Sequence, residues 1–569
     1  MLWKTFEPNP RLQKILSDAL GITPYLAQLL INRDIKTVEK AQEFLFGDAS
    51  AVHDPFLMKD MAAAVERINN AIEKREKILI YGDYDVDGIT STALLADILK
   101  FLGARVETFI PNRLEEGYGL NMDAILGAKE KQIDLLVTVD CGINSVKEVE
   151  CAKNFGMDVI ITDHHVVRSD SRPKASAIID PHQPDCNYPF KELAGVGVAY
   201  KLALAVAKGN EKEVNEHLDL VALGTVADIV PLIGENRILT KMGLKKLRST
   251  RKEGLKALMD VASLSPEKIN CRHIGFAMGP RINAMGRVGS ADVALDLLMS
   301  KDNFMAGELA RTVDRENRNR QNIEKDILKQ ALEKVTKEVD LEKEKIIVLA
   351  DEAWHSGIIG IVASRLTEEY SKPAILISLD GENGKGSGRG VEGFNLFEAI
   401  KKSSEHLIDF GGHKLACGLK IKKENIELFK TALNKIAGEC SDGVGAEAVE
   451  LKIDLQIPFS YISAKLINEL ELLMPFGAGN KEPIFLTKGV RVKNPPRDIA
   501  RSGFKFLATC GNLTCEAVTF KKSEIDKPAA GDILDLAYTP SINDWRGIET
   551  IQLNIKGIQV VGKACRELV

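Results

Sequence analysis

The sequence predicts an α/β protein: a parallel-sheet domain, a smaller α/β domain joined to it by a long helix, and a C-terminal β-barrel. Three patterns carry that expectation. Between about Lys77 and Asp180, short apolar runs alternate with amphipathic stretches, the rhythm of βαβ units and a parallel sheet. No proline lies between Pro280 and Pro373, and within that stretch apolar residues recur at helical spacing. From about 450 onward the chain turns to short alternating runs separated by Gly, Asn and Pro, the signature of a small barrel or sandwich.

Taken in order, residues 1–50 read as an N-terminal helical segment and 51–302 as the first domain. Its strands are expected at 77–82, 105–110, 134–139, 158–162 and 176–180, with helices at 89–102, 121–132 and 145–156. Helical patterns follow from 192 to 264, punctuated by Gly195-Val196-Gly197 and Gly224-Thr225. Residues 303–340 read as one connecting helix with Ile323, Ile327, Leu328, Leu332 and Val335 as its apolar stripe. A second α/β pattern occupies 341–442, opening on Ile346-Ile347-Val348-Leu349-Ala350. Residues 448–569 carry strands at Leu451–Ile457, Gly489–Val492, Phe504–Cys510, Glu516–Phe520, Ile533–Tyr538 and Ile551–Ile558, five or six in all, as in a barrel of the oligonucleotide-binding type.

Composition narrows the class. A chain of 569 residues is too long for one core. No run of about 18 apolar residues suggests a membrane span, and Met1-Leu2-Trp3-Lys4-Thr5-Phe6-Glu7 lacks the basic and apolar regions of a secretion signal. Nine cysteines, never in a CxxC pair, argue against a disulfide framework or cysteine zinc site. A reduced cytoplasm is the expected compartment. A net charge of −5 disfavours a wholly basic nucleic-acid coat but leaves room for a local basic groove.

Three acidic motifs sit where strand-like runs end. Lys77–Gly82 runs into Asp83-Tyr84-Asp85-Val86-Asp87-Gly88, Leu135–Val139 ends at Asp140, and Val159–Thr162 ends at Asp163-His164-His165. Ligands of open parallel sheets bind beyond the carboxyl ends of the strands. Carboxylates gathered there with imidazoles are costly unless a cation neutralises them. Oxygen and imidazole ligands without thiolates favour Mn²⁺ or Mg²⁺ over structural zinc. The aspartate triplet is not a calcium loop, because a leucine stands at the twelfth position, where an EF-hand requires glutamate. Asp228, within Gly224-Thr225-Val226-Ala227-Asp228-Ile229-Val230-Pro231-Leu232, adds a lone charge to an apolar stretch. It is read as a metal ligand; taken alone, it would equally suit a helix cap or an arginine partner.

These four motifs resemble those of the DHH phosphoesterase superfamily and, within it, the RecJ-type family of single-stranded-DNA exonucleases, over nearly the whole length. The resemblance implies a DHH domain, a DHHA1 domain and an OB domain. It implies one ion held by Asp83, Asp85 and Asp140, and a second by Asp87, Asp140, His164 and Asp228. His165 would orient His164 or donate to a substrate phosphate. No motif position departs from the family pattern.

Gly384-Lys385-Gly386-Ser387-Gly388-Arg389-Gly390 is rich in residues that let backbone amides approach an anion, although alone it reads as a flexible turn. With Phe410-Gly411-Gly412-His413 it is similar to the family's second-domain motifs. By that resemblance Ser387 and Arg389, helped by Arg113, would hold a terminal 5′ phosphate, and His413 would contact the scissile one. Arg281 and Asn283, in Gly279-Pro280-Arg281-Ile282-Asn283-Ala284, would reach phosphate. Arg311, Arg315, Arg318 and Arg320 read first as a solvated helix face, with one or two near the DNA backbone. In the barrel, Arg491, Lys493, Arg497, Arg501, Phe504, Lys505 and Phe506 mix cations with aromatics, as single-strand binders do; one phenylalanine is expected in the core. Trp354 is read as packing.

The family implies a monomeric 5′-to-3′ exodeoxyribonuclease that releases mononucleotides from single-stranded DNA with a 5′ phosphate end, serves recombination and repair, and works with single-strand-binding protein and a RecQ-type helicase. Its rivals are a phosphodiesterase for short oligonucleotides or cyclic dinucleotides, and a non-catalytic scaffold.

Overall fold

A computed structural model of the chain describes residues 2–113, 116–117, 119–167, 172–439, 450–499, 503–520, 525–545 and 548–563. The chain forms two compact units: one made of Met1–His53, Ile229–Met242 and Val449–Val569, the other of Asp54–Asp228 and Gly243–Ala448.

In the larger unit the βαβ pattern gives a five-stranded sheet. Its spatial order is Arg105–Phe109, Lys77–Gly82, Leu135–Val139, Asp158–Thr162 and Ala177–Ile179, with every pair parallel. The central strands are apolar on both faces because helices cover both, as a parallel sheet requires. Ile80, Val137 and Ile160 are fully buried. The helix Val86–Phe101 starts inside the first acidic motif, Asp85 serving as its N-cap by accepting from Asp87 N and Gly88 N. The acidic motifs therefore gather at one edge of the sheet by topology, each leaving a parallel strand at its carboxyl end.

The long helix runs from Asn303 to Glu338. Its first half buries Ala306, Ala310 and Val313. Its second half packs Ile327, Ala331 and Val335 with Ile347, Leu349, Trp354 and Ile359. That is a connector packed on both neighbours, and Trp354 is core.

The second sheet has the order Leu407–His413, Ala416–Lys422, Asn383–Arg389, Ala374–Asp380, Ile347–Asp351. Here the glycine-rich segment departs from the expected turn: Asn383–Arg389 is a paired inner strand. Gly384, Gly386 and Gly388 alternate onto one face, where a Cβ would lie 2.7 Å from Ile377, 2.6 Å from Leu419 and 3.1 Å from Leu396. Neighbouring side chains fill the space, and the period of two sends Lys385, Ser387 and Arg389 to the opposite face.

In the smaller unit, five strands close on themselves: Phe485–Val492, Ile533–Trp545, Ile548–Gly562, Leu513–Thr519 and Gly503–Cys510, the last pairing back to the first. This is the OB-type barrel anticipated from the turn spacing. The expected strand 451–457 is split: Glu450–Ile453 pairs in parallel with an N-terminal strand, Leu2–Thr5, while Leu455–Gln456 joins the barrel sheet. The N-terminal helices are likewise not a separate segment. Leu16, Leu26, Leu29, Leu30 and Leu45 share one core with Leu466, Phe485, Phe504 and Tyr538, because three short helices cannot close a core alone.

No described helix is long and apolar enough to cross a membrane. The seven described cysteines are all free.

Candidate metal centre and phosphate-binding cleft

Side chains from four separated segments converge at the carboxyl edge of the parallel sheet. Asp83, Asp85 and Asp140 bring carboxylate oxygens within 4.8 Å of one another, as do the ligand atoms of Asp87, His164 and Asp228, and those of Asp140, His164 and His165. His164 Nε2 stands 3.1 Å from Asp140 Oδ1, 3.7 Å from Asp228 Oδ2 and 3.9 Å from Asp87 Oδ2. Asp140 thus adjoins both clusters.

The local fold builds this arrangement at close quarters. Asp140 adopts φ 61°, a left-handed conformation that aspartate tolerates better than most residues. Gly195 faces it: a Cβ there would be 2.5 Å from Asp140 Oδ1. Gly195 N and Val196 N, at the start of the helix Gly195–Val206, donate to the two oxygens of Asp87 at 2.7 and 2.8 Å. Gly224 is equally constrained, since its Cβ would be 2.4 Å from Thr90 Oγ1 and 2.9 Å from Asp87 Oδ1. The two glycine punctuations of the sequence are close approaches to metal-site carboxylates.

The electrostatics are those of an anion-rich pit. Burial, together with Asp85, pushes the Asp83 carboxyl well above its usual range, and burial with Asp87 and Asp85 does the same to Asp140. Burial and Asp228 raise Asp87 to about 7. Burial opposes a charged His164, yet Asp228, Asp87 and Asp163 prevail and raise it. Asp163 is not a ligand: it accepts from Ile143 N, His164 N and His165 N and pairs with His165 Nδ1 at 2.7 Å. That contact lifts His165 to about 9 against the opposing pull of burial. With Nδ1 committed to Asp163 and the side chain 42% exposed, His165 is held beside the acidic cluster.

Divalent ions fit this donor set. Among the described residues, Asp83 Oδ1, Asp140 Oδ1 and His164 Nε2 are buried atoms without a hydrogen-bond partner, and such atoms call for an occupant. The atoms are hard oxygens with one imidazole and no thiolate, the chemistry of Mn²⁺ and Mg²⁺.

A bank of guanidinium groups adjoins the acids. Arg389 Nη1 donates to Ser387 Oγ at 3.1 Å. Arg113 stacks over the Tyr84 ring at 4.9 Å. Arg287 donates to Gly357 O at 3.1 Å; burial, then Arg113, Arg320 and Arg389, depress its pKa to about 9. Cations crowded until one is depressed this far need an anion among them. Arg287 escaped the sequence reading, although it lies six residues beyond Arg281; an arginine at a helix end carries no periodicity signal.

Other expected residues are engaged elsewhere. Arg281 gives Nε to Asp314 and Nη1 to Ala277 O, and Asn283 Oδ1 accepts from Val86 N, so the asparagine braces the first acidic turn. His413 is exposed at the end of an edge strand and forms no hydrogen bond or ion pair with the acidic cluster among the described residues. Arg311, Arg315, Arg318 and Arg320 pair with Glu308, Glu316, Asp314 and Glu324 on their own helix.

In the barrel, Phe504 is a correction: it is fully buried, as is Phe506 at 2% exposure, the two rings packing 6.4 Å apart. A ring turned into the barrel's interior offers no face to a base. Lys505, on the opposite face, pairs with Glu516 at 2.8 Å. Arg491, Lys493 and Arg497 are exposed, and Arg501 lies outside the described residues.

Residues 77–225 match the DHH family N-terminal domain, residues 343–439 the DHHA1 domain and residues 453–557 the RecJ OB domain. The single-stranded-DNA-specific exonuclease RecJ of Bacillus subtilis is 40% identical over 565 residues, covering 98% of this chain and 71% of that protein. This chain belongs to the RecJ family. RecJ of Escherichia coli is 33% identical, over 94% of this chain and 96% of that protein. RecJ of Thermus thermophilus in complex with Mn²⁺ superposes with a TM-score of 0.84 at 29% identity, covering 98% of this chain and 79% of that one. Its complex with Mg²⁺ superposes at 0.79. Those RecJ structures are complexes with Mn²⁺ and with Mg²⁺ respectively, the kinds of ion that the donor set here suits.

Proposed function

We propose that this chain is a divalent-metal-dependent exonuclease that hydrolyses single-stranded DNA from its 5′ end, releasing 5′-mononucleotides in DNA recombination and repair. The observation that carries this reading is Asp140, which adjoins both ligand clusters; Arg113, within electrostatic reach of Asp83, and Arg389 with Ser387 suit a terminal phosphate.

Asp83, Asp85 and Asp140 would hold one ion, and Asp87, His164 and Asp228, with Asp140, the other. The chemistry two such ions supply is activation of water and stabilisation of charge on the phosphoryl and leaving oxygens. The remaining work belongs to the protein. Arg389, Arg287, Arg113 and Ser387 clamp the terminal phosphate, a fork of guanidinium donors being suited to it. That clamp sets polarity, because only a strand that begins with a phosphate satisfies it. His165, protonated through its bond to Asp163, donates to a non-bridging oxygen of the scissile phosphate. The exposed Arg491, Lys493 and Arg497 of the barrel, with the half-exposed Lys505, hold the backbone of a single strand.

A time course on a single strand labelled at either end tests this. With Mn²⁺, the 5′ label is released first as a mononucleotide; without it nothing is cut. Release of the 3′ label first, or internal fragments, refutes the polarity. Equal rates on dinucleotides and long strands favour the oligonucleotide phosphodiesterase.

A further inference from the structure

We propose that Tyr84 is a positioning residue, its ring holding Arg113 at the terminal-phosphate end of the site and off the metal-binding carboxylates. This rests on the 5′-phosphate reading above. Tyr84 stands in sequence between two proposed metal ligands, Asp83 and Asp85. The Arg113 guanidinium carbon lies 4.9 Å from its ring centroid, inside the range of a cation–π contact.

Arg113 is within electrostatic reach of Asp83. A guanidinium beside a bank of carboxylates ordinarily closes a forked ion pair. Arg113 makes none with a described carboxylate; its contact is the tyrosine face. Such a pair would take from the site both a cation that the phosphate needs and a carboxylate that the metal needs. The ring prevents both losses.

The backbone that carries the ring is held closely. Gly286 packs against Tyr84 so closely that a Cβ there would lie 2.6 Å from Tyr84 O and 3.5 Å from Tyr84 Cβ. Val86 N, two residues on, is tied to Asn283 Oδ1 at 3.2 Å. The helix Gly279–Val288 thus clamps the first acidic turn from one side while supplying Arg287 to the guanidinium bank. Tyr84 is the joint between the two banks, and its ring fixes how far Arg113 stands from the metal ligands. The hydroxyl has no part in a cation–π contact, so a phenylalanine should serve.

The test compares kcat/KM on 5′-phosphorylated and 5′-hydroxyl single strands in Mn²⁺, for the wild type and for Tyr84→Phe, Tyr84→Leu, Arg113→Ala, Tyr84→Leu with Arg113→Ala, and Arg389→Ala. Tyr84→Phe keeps the preference for the phosphate. Tyr84→Leu lowers it about tenfold, the scale of a partly buried cation–π contact, with the change in KM. Adding Tyr84→Leu to Arg113→Ala lowers it no further, since the ring acts only through that arginine. An undiminished preference in Tyr84→Leu, an equal loss in Tyr84→Phe, or additive losses in the double variant would each overturn the proposal. If Tyr84→Leu shows no thermal transition, Tyr84→Met takes its place, filling the space without a ring face. Arg389→Ala keeps the two readings apart. If it leaves the preference intact, the 5′-phosphate site is wrong. If it removes the preference while Tyr84→Leu does not, only the role of Tyr84 fails.

Discussion

His164 Nε2 and Asp140 Oδ1 face each other at 3.1 Å, and neither has a hydrogen-bond partner among the described residues. They come from different strand ends, so the sheet brings them together. Without a cation the pair depends on a proton held among carboxylates that burial already drives toward the neutral form. With a cation the same two atoms become ligands, and the repulsion around them turns to attraction.

Asp140→Ala should therefore remove Mn²⁺-dependent cleavage, lowering the rate by more than the ~100-fold typical of outer-sphere partners. The fold should survive. Deleting a carboxylate whose ionised form is disfavoured by burial and by Asp87 and Asp85 should leave the thermal midpoint of the metal-free protein at or above the wild type. Cleavage at the wild-type rate by the variant would refute the shared-ligand assignment.

Gly195→Ala separates packing from ligation. The new methyl would need to occupy a point 2.5 Å from Asp140 Oδ1 and 2.8 Å from its Cβ, so either the helix start or Asp140 moves. The expected cost is roughly 1–3 kcal/mol in unfolding free energy, with weaker Mn²⁺ binding by calorimetric titration. Unchanged Mn²⁺ affinity would mean that the carboxylate is not held as tightly as this.

Much of the metal centre was legible because its ligands lie at strand ends, and strand ends are marked by apolar runs stopping at acids. Asp83, Asp140 and His164 could be placed that way from the sequence. The guanidinium bank was only half legible. Arg389 stands in a conspicuous glycine-rich run, although those glycines mark a tightly packed strand and not a loop. Arg287 and the Tyr84 ring gain their meaning from helix and strand partners about 30 to 200 residues away, which no local pattern encodes. The shared core of Leu16 with Phe504 is a long-range fact of the same kind. Alternation in Gly503–Cys510 shows that Phe504 and Phe506 share a face, but not that the face points inward.

Phe504→Ala should accordingly act on stability, not on DNA contact. A fully buried phenylalanine truncated in a barrel core costs about 3–5 kcal/mol, visible as a lower urea midpoint. Lys505→Ala removes a half-exposed partner of Glu516, and such pairs are worth about 0–1 kcal/mol. Its effect should appear as a weaker salt dependence of single-strand binding. A stable Phe504→Ala variant with impaired DNA binding would restore the stacking role that burial rules out.

The last prediction concerns pH. Asp87 titrates near 7 in the folded chain, against 3.8 for the unexceptional carboxyl. Between those values the folded state holds a proton that the unfolded state has released. Its contribution to stability is complete below the unfolded value and is lost as pH rises through about 7. Other groups titrate in the same range, His182 and His355 in the opposite sense, so the comparison must be with Asp87→Asn. That variant carries a constant cost, because its amide meets the Gly195 and Val196 donors, but it lacks the titration. Raising the pH from 6 to 8 without metal should destabilise the wild type relative to Asp87→Asn by roughly 1 kcal/mol. Saturating Mn²⁺ should reverse the order, stabilising the wild type more at pH 8 than at pH 6, since the ion and the proton compete for one carboxylate. Parallel stability curves for the two proteins, with and without Mn²⁺, would show that Asp87 is neither protonated nor a ligand.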